Sequence, residues 1–292
     1  MQGPVAALLD GGARLHLQHG PIDLIIGADD PGRDRAFAAA AARFDGMLEG
    51  LVSELPAHRA PLLPDTPEPA DPVARRMYRA ARPFCDRAFL TPMIAVAGAV
   101  ADAVLAAMIA AGPLRRAYVN NGGDIALHLD GAAEFSIAMA DLRGTDLGRI
   151  RLDAADGIGG VATSGAGGRS LSLGIADSVT VLARDAATAD VAATLIGNAV
   201  DLPDHPGIRR MPARDLQPDS DLGNRPVVTS VPRLTDGACD GALRAGRLCA
   251  DEMITSGLIK GAALFLQGRW VCAGTVAAGI RATRMEIAHA KA

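Results

Sequence analysis

Aromatic residues are scarce in this chain of 292 residues: they make up 3% of it, with one tryptophan, two tyrosines and six phenylalanines. So few rings leave little material for stacking bases, which argues against a single-stranded nucleic-acid binder. An excess of either charge is also missing. The 29 basic and 33 acidic residues leave a net charge of −4, so no general positive field draws nucleic acid or an anionic membrane. Cysteine is confined to Cys85, Cys239, Cys249 and Cys272, with no CxxC pair and no zinc-finger spacing; reduced, mostly buried thiols in the cytoplasm are expected. The six histidines form neither HExxH nor HxH, which excludes the usual histidine-ligated metal motifs. No N-terminal apolar h-region is seen. The longest apolar run, "FLTPMIAVAGAVADAVLAAMIAAG" (Phe89 to Gly112), carries Asp102 and reads as a buried core helix, not a membrane span.

Hydrophobic residues make up 49% of the chain, so alanine, valine, leucine and isoleucine build the interior, while 33 glycines and 18 prolines supply the turns. The length suits one large domain or two small ones. A single domain over 1–292 is expected, divided into an N-terminal part (1–90), a motif-bearing core (91–200) and a C-terminal part (201–292).

Along the chain, "ARLHLQHGPIDLIIGA" alternates around a turn and predicts a hairpin. "RDRAFAAAAARFDGMLEGLVSEL" predicts one helix with Phe37, Ala41, Phe44, Leu48 and Leu51 on a face. A proline-dense connector follows, then a helix capped by Asp71 with Pro72 at its first position, and a second helix from about Pro92 to Ala111. Beyond it come strands around an Asn-Gly-Gly turn and short strands in "GRIRLDAADGIGGVATSG", "RSLSLGI" and "DSVTVLA". The alanine-rich helix "RDAATADVAATLIGNAV" and a long polar loop through 201–224 come next. A strand, a helix from near Leu234 and a last hairpin complete the pattern, with a tail past Arg281. Helices mixed with antiparallel hairpins predict an α+β fold with mixed and antiparallel sheets.

Chemistry concentrates in a few short segments. "NNGGDIAL" (Asn120 to Leu127) reads first as a tight turn, because Asn-Gly and Gly-Gly favour positive φ. The functional alternative is that Gly122 and Gly123 bare the backbone to a ligand beside Asn121 and Asp124. "GVATSGAGGRS" (Gly160 to Ser170) is a bulge or hairpin by default; alternatively Thr163 and Ser164 donate to a phosphate that Arg169 grips. It is not a Walker loop, since no GxxxxGK[ST] is present. In "ATADVAATLIG", Asp190 and Thr194 are four apart and share one helix face. They are either ordinary helix residues or hard oxygen ligands for Mg²⁺.

Taken in order, "VNNGGDI", "ATSG", "SVTV" and "ADVAAT" resemble the ApbE-like superfamily of flavin transferases, over roughly Thr91 to Val200. "TPMIAVAGAVAD" and "GGRSLSLGIADSVTVLA" are most similar to a branch of that superfamily known mainly as uncharacterised proteins. The resemblance implies an ApbE-like fold, binding of FAD or FMN, and Mg²⁺-assisted cleavage of the FAD pyrophosphate with transfer of FMN to a protein threonine. It places Asp190 and Thr194 as metal ligands, and Asn121, Gly122, Gly123, Asp124, Thr163, Ser164 and Gly165 around the flavin nucleotide. The chain departs from the pattern at three points, one being that the family's acidic D-x-x-x-S-x-Y/F region near the N-terminus has no recognisable counterpart. The family lysine falls on Ala97, and its His-Ile-Ile-Asp-Pro stretch is replaced by "AGGRSLSLGIAD", where Arg169 and Asp177 are the candidate catalytic substitutes.

The leading expectation is therefore a cytoplasmic flavin- or nucleotide-binding protein, a diverged Mg²⁺-dependent transferase or pyrophosphate-cleaving enzyme, acting on a small molecule and not on nucleic acid or membrane. The alternative is a non-catalytic small-ligand or partner-binding module on the same fold. Alanine-rich helices and the edge hairpin are compatible with a homodimer.

Overall fold

A computed structural model describes residues 3–140, 146–168 and 170–275. Arg169 and the tail past Arg281 lie outside the described residues. In chain order the elements begin with strands β1 (Val5–Leu9), β2 (Arg14–His19) and β3 (Ile22–Ala28). Helices α1 (Arg33–Phe44), α2 (Met47–Ser53), α3 (Leu55–His58), α4 (Pro72–Ala81) and α5 (Val96–Ala110) follow. Next come β4 (Arg116–Asn121), β5 (Asp124–Leu129), β6 (Glu134–Ala140), β7 (Asp146–Asp153), β8 (Gly160–Ser164), β9 (Ser178–Ala183) and α6 (Ala186–Ala199). The chain continues with β10 (Arg209–Pro212), α7 (Ala213–Leu216), β11 (Pro226–Ser230), α8 (Asp236–Thr255), β12 (Gly261–Leu266) and β13 (Arg269–Gly274). The α+β class, with antiparallel sheets and packed helices, is as the pattern indicated.

The chain forms two compact units: residues 1–134, 153–162 and 183–191 make the first, and residues 135–152, 163–182 and 192–292 the second. In the first unit an antiparallel ladder runs β1-β2-β3-β4-β5 and continues to β8. Helix α5 packs on α1, α4, β4 and β5, and buries Ala99, Val100, Ala101, Val104 and Met108. That burial explains why so apolar a run, long enough to cross a membrane, serves here as a core helix. Helix α4 begins where its sequence says it should: Asp71 Oδ1 accepts the N–H groups of Val73 and Ala74, both at 2.8 Å, and Pro72 needs no donor partner.

In the second unit β12 pairs with β9 and β13, β10 pairs with β11, and β6 with β7, while α8 packs on β12 and β13. Strand β9 is buried along its whole length, and Val179, Val181 and Leu182 sit in the core.

Four local expectations change. The first long helix breaks at Asp45–Gly46 into α1 and α2, because Gly46 takes φ 70°, although Phe37, Phe44, Leu48 and Leu51 are still buried. β1 was not foreseen, since "VAALL" is apolar without alternation; it is an exposed strand paired to β2. "RSLSLGI" forms no strand among its described residues: Ser172 Oγ bonds Gly174 within the turn and the Leu173 N–H goes to Asn198 Oδ1. The polar stretch 201–224 is not all loop, because β10 finds β11 and α7 follows it.

Candidate functional site

In the first unit, the N-terminus of α5 is the meeting point of two of the expected segments. β4 and β5 are joined by the two-residue loop Gly122–Gly123, with Asn121 opposite Asp124. Those glycines take φ 66° and 116°, which side chains other than glycine rarely adopt, and the Asn120 carboxamide oxygen accepts the Gly123 N–H at 2.9 Å. The neighbouring Asn121 is buried and donates from Nδ2 to the Ala97 carbonyl at 3.1 Å.

Asp190 reaches the same turn of α5 from α6. Its Oδ2 accepts the Gly98 N–H at 3.0 Å, and the Ala97 main chain also hydrogen-bonds the carboxylate. α5 has no capping side chain of its own, so Asp190 satisfies donors that every helix leaves unpaired at its start. The main chain at Ala97 is thus bonded both by Asn121 of the "NNGGD" turn and by Asp190 of "ADVAAT".

Electrostatics single this carboxyl out. Burial pushes the Asp190 pKa well above the ordinary carboxylate range; the nearby Asp124 charge raises it further, Asp102 adds to this, and the two main-chain hydrogen bonds oppose them. A buried carboxyl raised by desolvation and by a second acid calls for a proton or a cation beside it. Among the described residues no group of three or more His, Cys, Asp or Glu is arranged to hold a metal ion. Thr194 lies one turn beyond Asp190 on α6.

Asp102 was met in the sequence only as a charge in an apolar run. It accepts the N–H groups of Ala186 and Ala187 at 3.0 and 2.9 Å, while Asp185 Oδ1 takes that of Thr188 at 2.8 Å. The start of α6, the helix that carries Asp190, is therefore pinned by carboxylates. Burial, the largest influence, lifts the Asp102 pKa to about 6 against the pull of those hydrogen bonds. The available signal was the charge itself, since a lone acid inside an alanine-rich core helix needs buried donors.

In the second unit, Thr163, Ser164 and Gly165 sit at and just past the end of β8. The Thr163 and Thr180 hydroxyls are hydrogen-bonded at 3.0 Å, joining "ATSG" to "SVTV". Gly165 is required by its surroundings: a Cβ there would lie 2.4 Å from the Asp177 carbonyl. The following Ala166 donates to the Ala176 carbonyl at 2.8 Å. A cavity of about 800 Å³ opens beside this loop, lined by Ala166, Gly167, Ile175, Asp177, Arg233 and Gln267 among others. Asp177 lines it, and its Oδ2 also accepts the main-chain N–H of Gln267.

Residues 6–272 match the sequence profile of a family described as AbpE bacteria. The chain belongs to that family. A UPF0280 protein of Methanosarcina acetivorans is 36% identical over 187 residues, covering 63% of this chain and 72% of that protein. Another, from Methanothrix thermoacetophila, is 39% identical over 157 residues, covering 53% of this chain and 64% of its own length. Among solved structures, the apo form of the flavinyl transferase ApbE of Pseudomonas stutzeri gives a TM-score of 0.48 at 15% identity, covering 94% of each chain.

Proposed function

We propose that the chain binds a flavin nucleotide, FAD or FMN, together with Mg²⁺. The observation that carries this reading is the Asp190 carboxyl, anchored on the first turn of α5 and raised by its burial and then by the neighbouring Asp124. It lies where the ordered motif set puts the metal ligands of the flavin transferases. Asp190 and Asp124, with the Thr194 hydroxyl, are the residues to hold Mg²⁺. The cation's contribution when bound is to neutralise the charge on a phosphate leaving from a pyrophosphate. The baring of the backbone at Gly122–Gly123 supplies donors for phosphate oxygens. The second unit's cavity, at about 800 Å³, has the volume that organic ligands of this size use.

Two catalytic outcomes belong to the proposal: cleavage of FAD to FMN and AMP, and transfer of the FMN to a hydroxyl acceptor, with Asp177 and Arg169 in the place of the missing motif residues. The second reading, a binding module without turnover, is favoured by one observation. Ala97 presents only main-chain bonds where the transferases carry lysine.

Calorimetric titration with FAD, FMN and ADP, with and without Mg²⁺, tests the proposal. Mg²⁺-dependent binding of at least one is expected, weakened by roughly tenfold or more in Asp190→Ala and less in Thr194→Val. The reading fails if none binds, or if Asp190→Ala titrates like the parent. AMP release from FAD separates turnover from binding alone.

A further inference from the structure

A different part of the first unit carries a concentration of arginine that the flavin reading does not use. Helix α4 ("PVARRMYRAA") places Arg75, Arg76 and Arg79 along one side of a cleft of about 380 Å³, and Arg184 closes it from the segment before α6. Asp102 and Asp185 also line it. An arginine cluster facing acids would be self-neutralising, so the commitments of those acids decide the matter.

Both Asp102 oxygens are taken by the main-chain N–H groups of Ala186 and Ala187. Asp185 spends one oxygen on the Thr188 N–H and the other on Arg184 at 3.1 Å. Glu68, which does not line the cleft, grips Arg79 in a two-pronged pair, with bonds of 2.9 Å from both Nε and Nη2, and stands 3.9 Å from Arg75. Arg76 makes no ion pair or hydrogen bond among the described residues. Arg184 keeps 82% of its side chain exposed despite its pairing. Asp102 serves the start of α6, Asp185 pairs with Arg184, Glu68 with Arg79, and Arg75 donates to the Pro69 and Ala70 carbonyls, which leaves the Arg76 fork open toward the cleft beside the exposed Arg184.

From this cleft we infer a second binding site, one for a small molecule bearing a diphosphate group. Guanidinium forks pair two-pronged with phosphate oxygens, and several forks around one concave space suit a group with several charges better than a single carboxylate does. The cleft's volume lies within the range of small-ligand sites. A free diphosphate and the diphosphate of a nucleotide share this chemistry.

The experiment is calorimetric titration of the full chain with inorganic pyrophosphate, ADP and AMP in EDTA, which silences any cation-dependent centre at Asp190. Pyrophosphate and ADP are expected to bind more tightly than AMP. The Arg76→Gln/Arg184→Gln variant is expected to lose affinity for both by roughly tenfold or more. ADP binding more tightly than pyrophosphate identifies a nucleotide site, and equal binding a site for the diphosphate alone. Should the double variant lose its fold, as read by circular dichroism, Arg76→Gln gives the same readout from an exposed side chain whose removal breaks no hydrogen bond among the described residues. The inference is overturned if pyrophosphate and ADP do not bind at millimolar concentration, or bind the arginine variants as they bind the parent.

Discussion

Gly98 donates its main-chain N–H to Asp190 Oδ2 at 3.0 Å, and the same glycine lies against the first turn of the helix that carries Asp190. The two facts are one arrangement. A hydrogen bond between the start of α5 and a side chain on α6 needs the two backbones close together, and only a residue without a Cβ allows it. A candidate cation centre is thereby built on a helix-to-helix contact, and its geometry depends on a residue with no side chain.

A prediction follows for Gly98→Ala. The added Cβ would lie 2.3 Å from the Ala186 carbonyl oxygen and 2.7 Å from the Ala187 Cα, both backbone atoms that cannot rotate away. The helices must separate, at a cost of about 1–3 kcal/mol for overpacking. Asp190 should then lose its donors. The urea midpoint should fall, and Mg²⁺-dependent ligand binding should weaken along with it. A variant with the parental midpoint would mean that the close contact is not there.

Asp102 makes a prediction about pH. Its folded pKa of about 6 stands above the ordinary 3.8, so the folded protein holds the proton more tightly than the unfolded chain. Its contribution is therefore most favourable below about pH 4 and is lost as pH rises through 6. At pH 8 the ionised form costs about 3 kcal/mol relative to acid. Asp102→Asn removes the titration and keeps one acceptor for α6. Between pH 5 and pH 8 the parent should lose more stability in urea than the variant does. Parallel losses in the two proteins would refute this origin of the pH dependence.

How much of this was legible in the sequence depended on whether the signal was local. The turn at Gly122–Gly123 and the Asp71–Pro72 helix start are written in adjacent residues, and both stand as expected. The final hairpin also stands. Gly98 carried no signal, because a glycine among alanines breaks no hydrophobic period; its reason lies in Ala186, far along the chain. The contact between Asp190 and the α5 start was hidden in the same way. A spacing of four suggested a partner in Thr194, but the observed hydrogen-bond partners are main-chain groups on another helix. β1 and the 170–175 segment failed for a further reason. Their structure depends on edge pairing and on side-chain bonds to Asn198, which no periodicity encodes.

Asp177 gives the last prediction. Its Oδ2 accepts the main-chain N–H of Gln267, in the turn between β12 and β13. Gln267 holds that turn with φ 47° and bonds both ends of its own carboxamide, accepting from the Leu234 N–H at 3.0 Å and donating to the Pro232 carbonyl at 2.7 Å. Asp177→Ala removes an acceptor from a partly buried N–H, at about 1–3 kcal/mol, whereas Asp177→Asn keeps an oxygen there and should cost less. The chain's one tryptophan, Trp270, stands on β13 opposite Phe265, so its fluorescence reports this hairpin directly. In urea the Trp270 transition should move to lower concentration in the order parent, Asp177→Asn, Asp177→Ala. If the alanine variant unfolds at the parental midpoint, the carboxylate does not hold the hairpin.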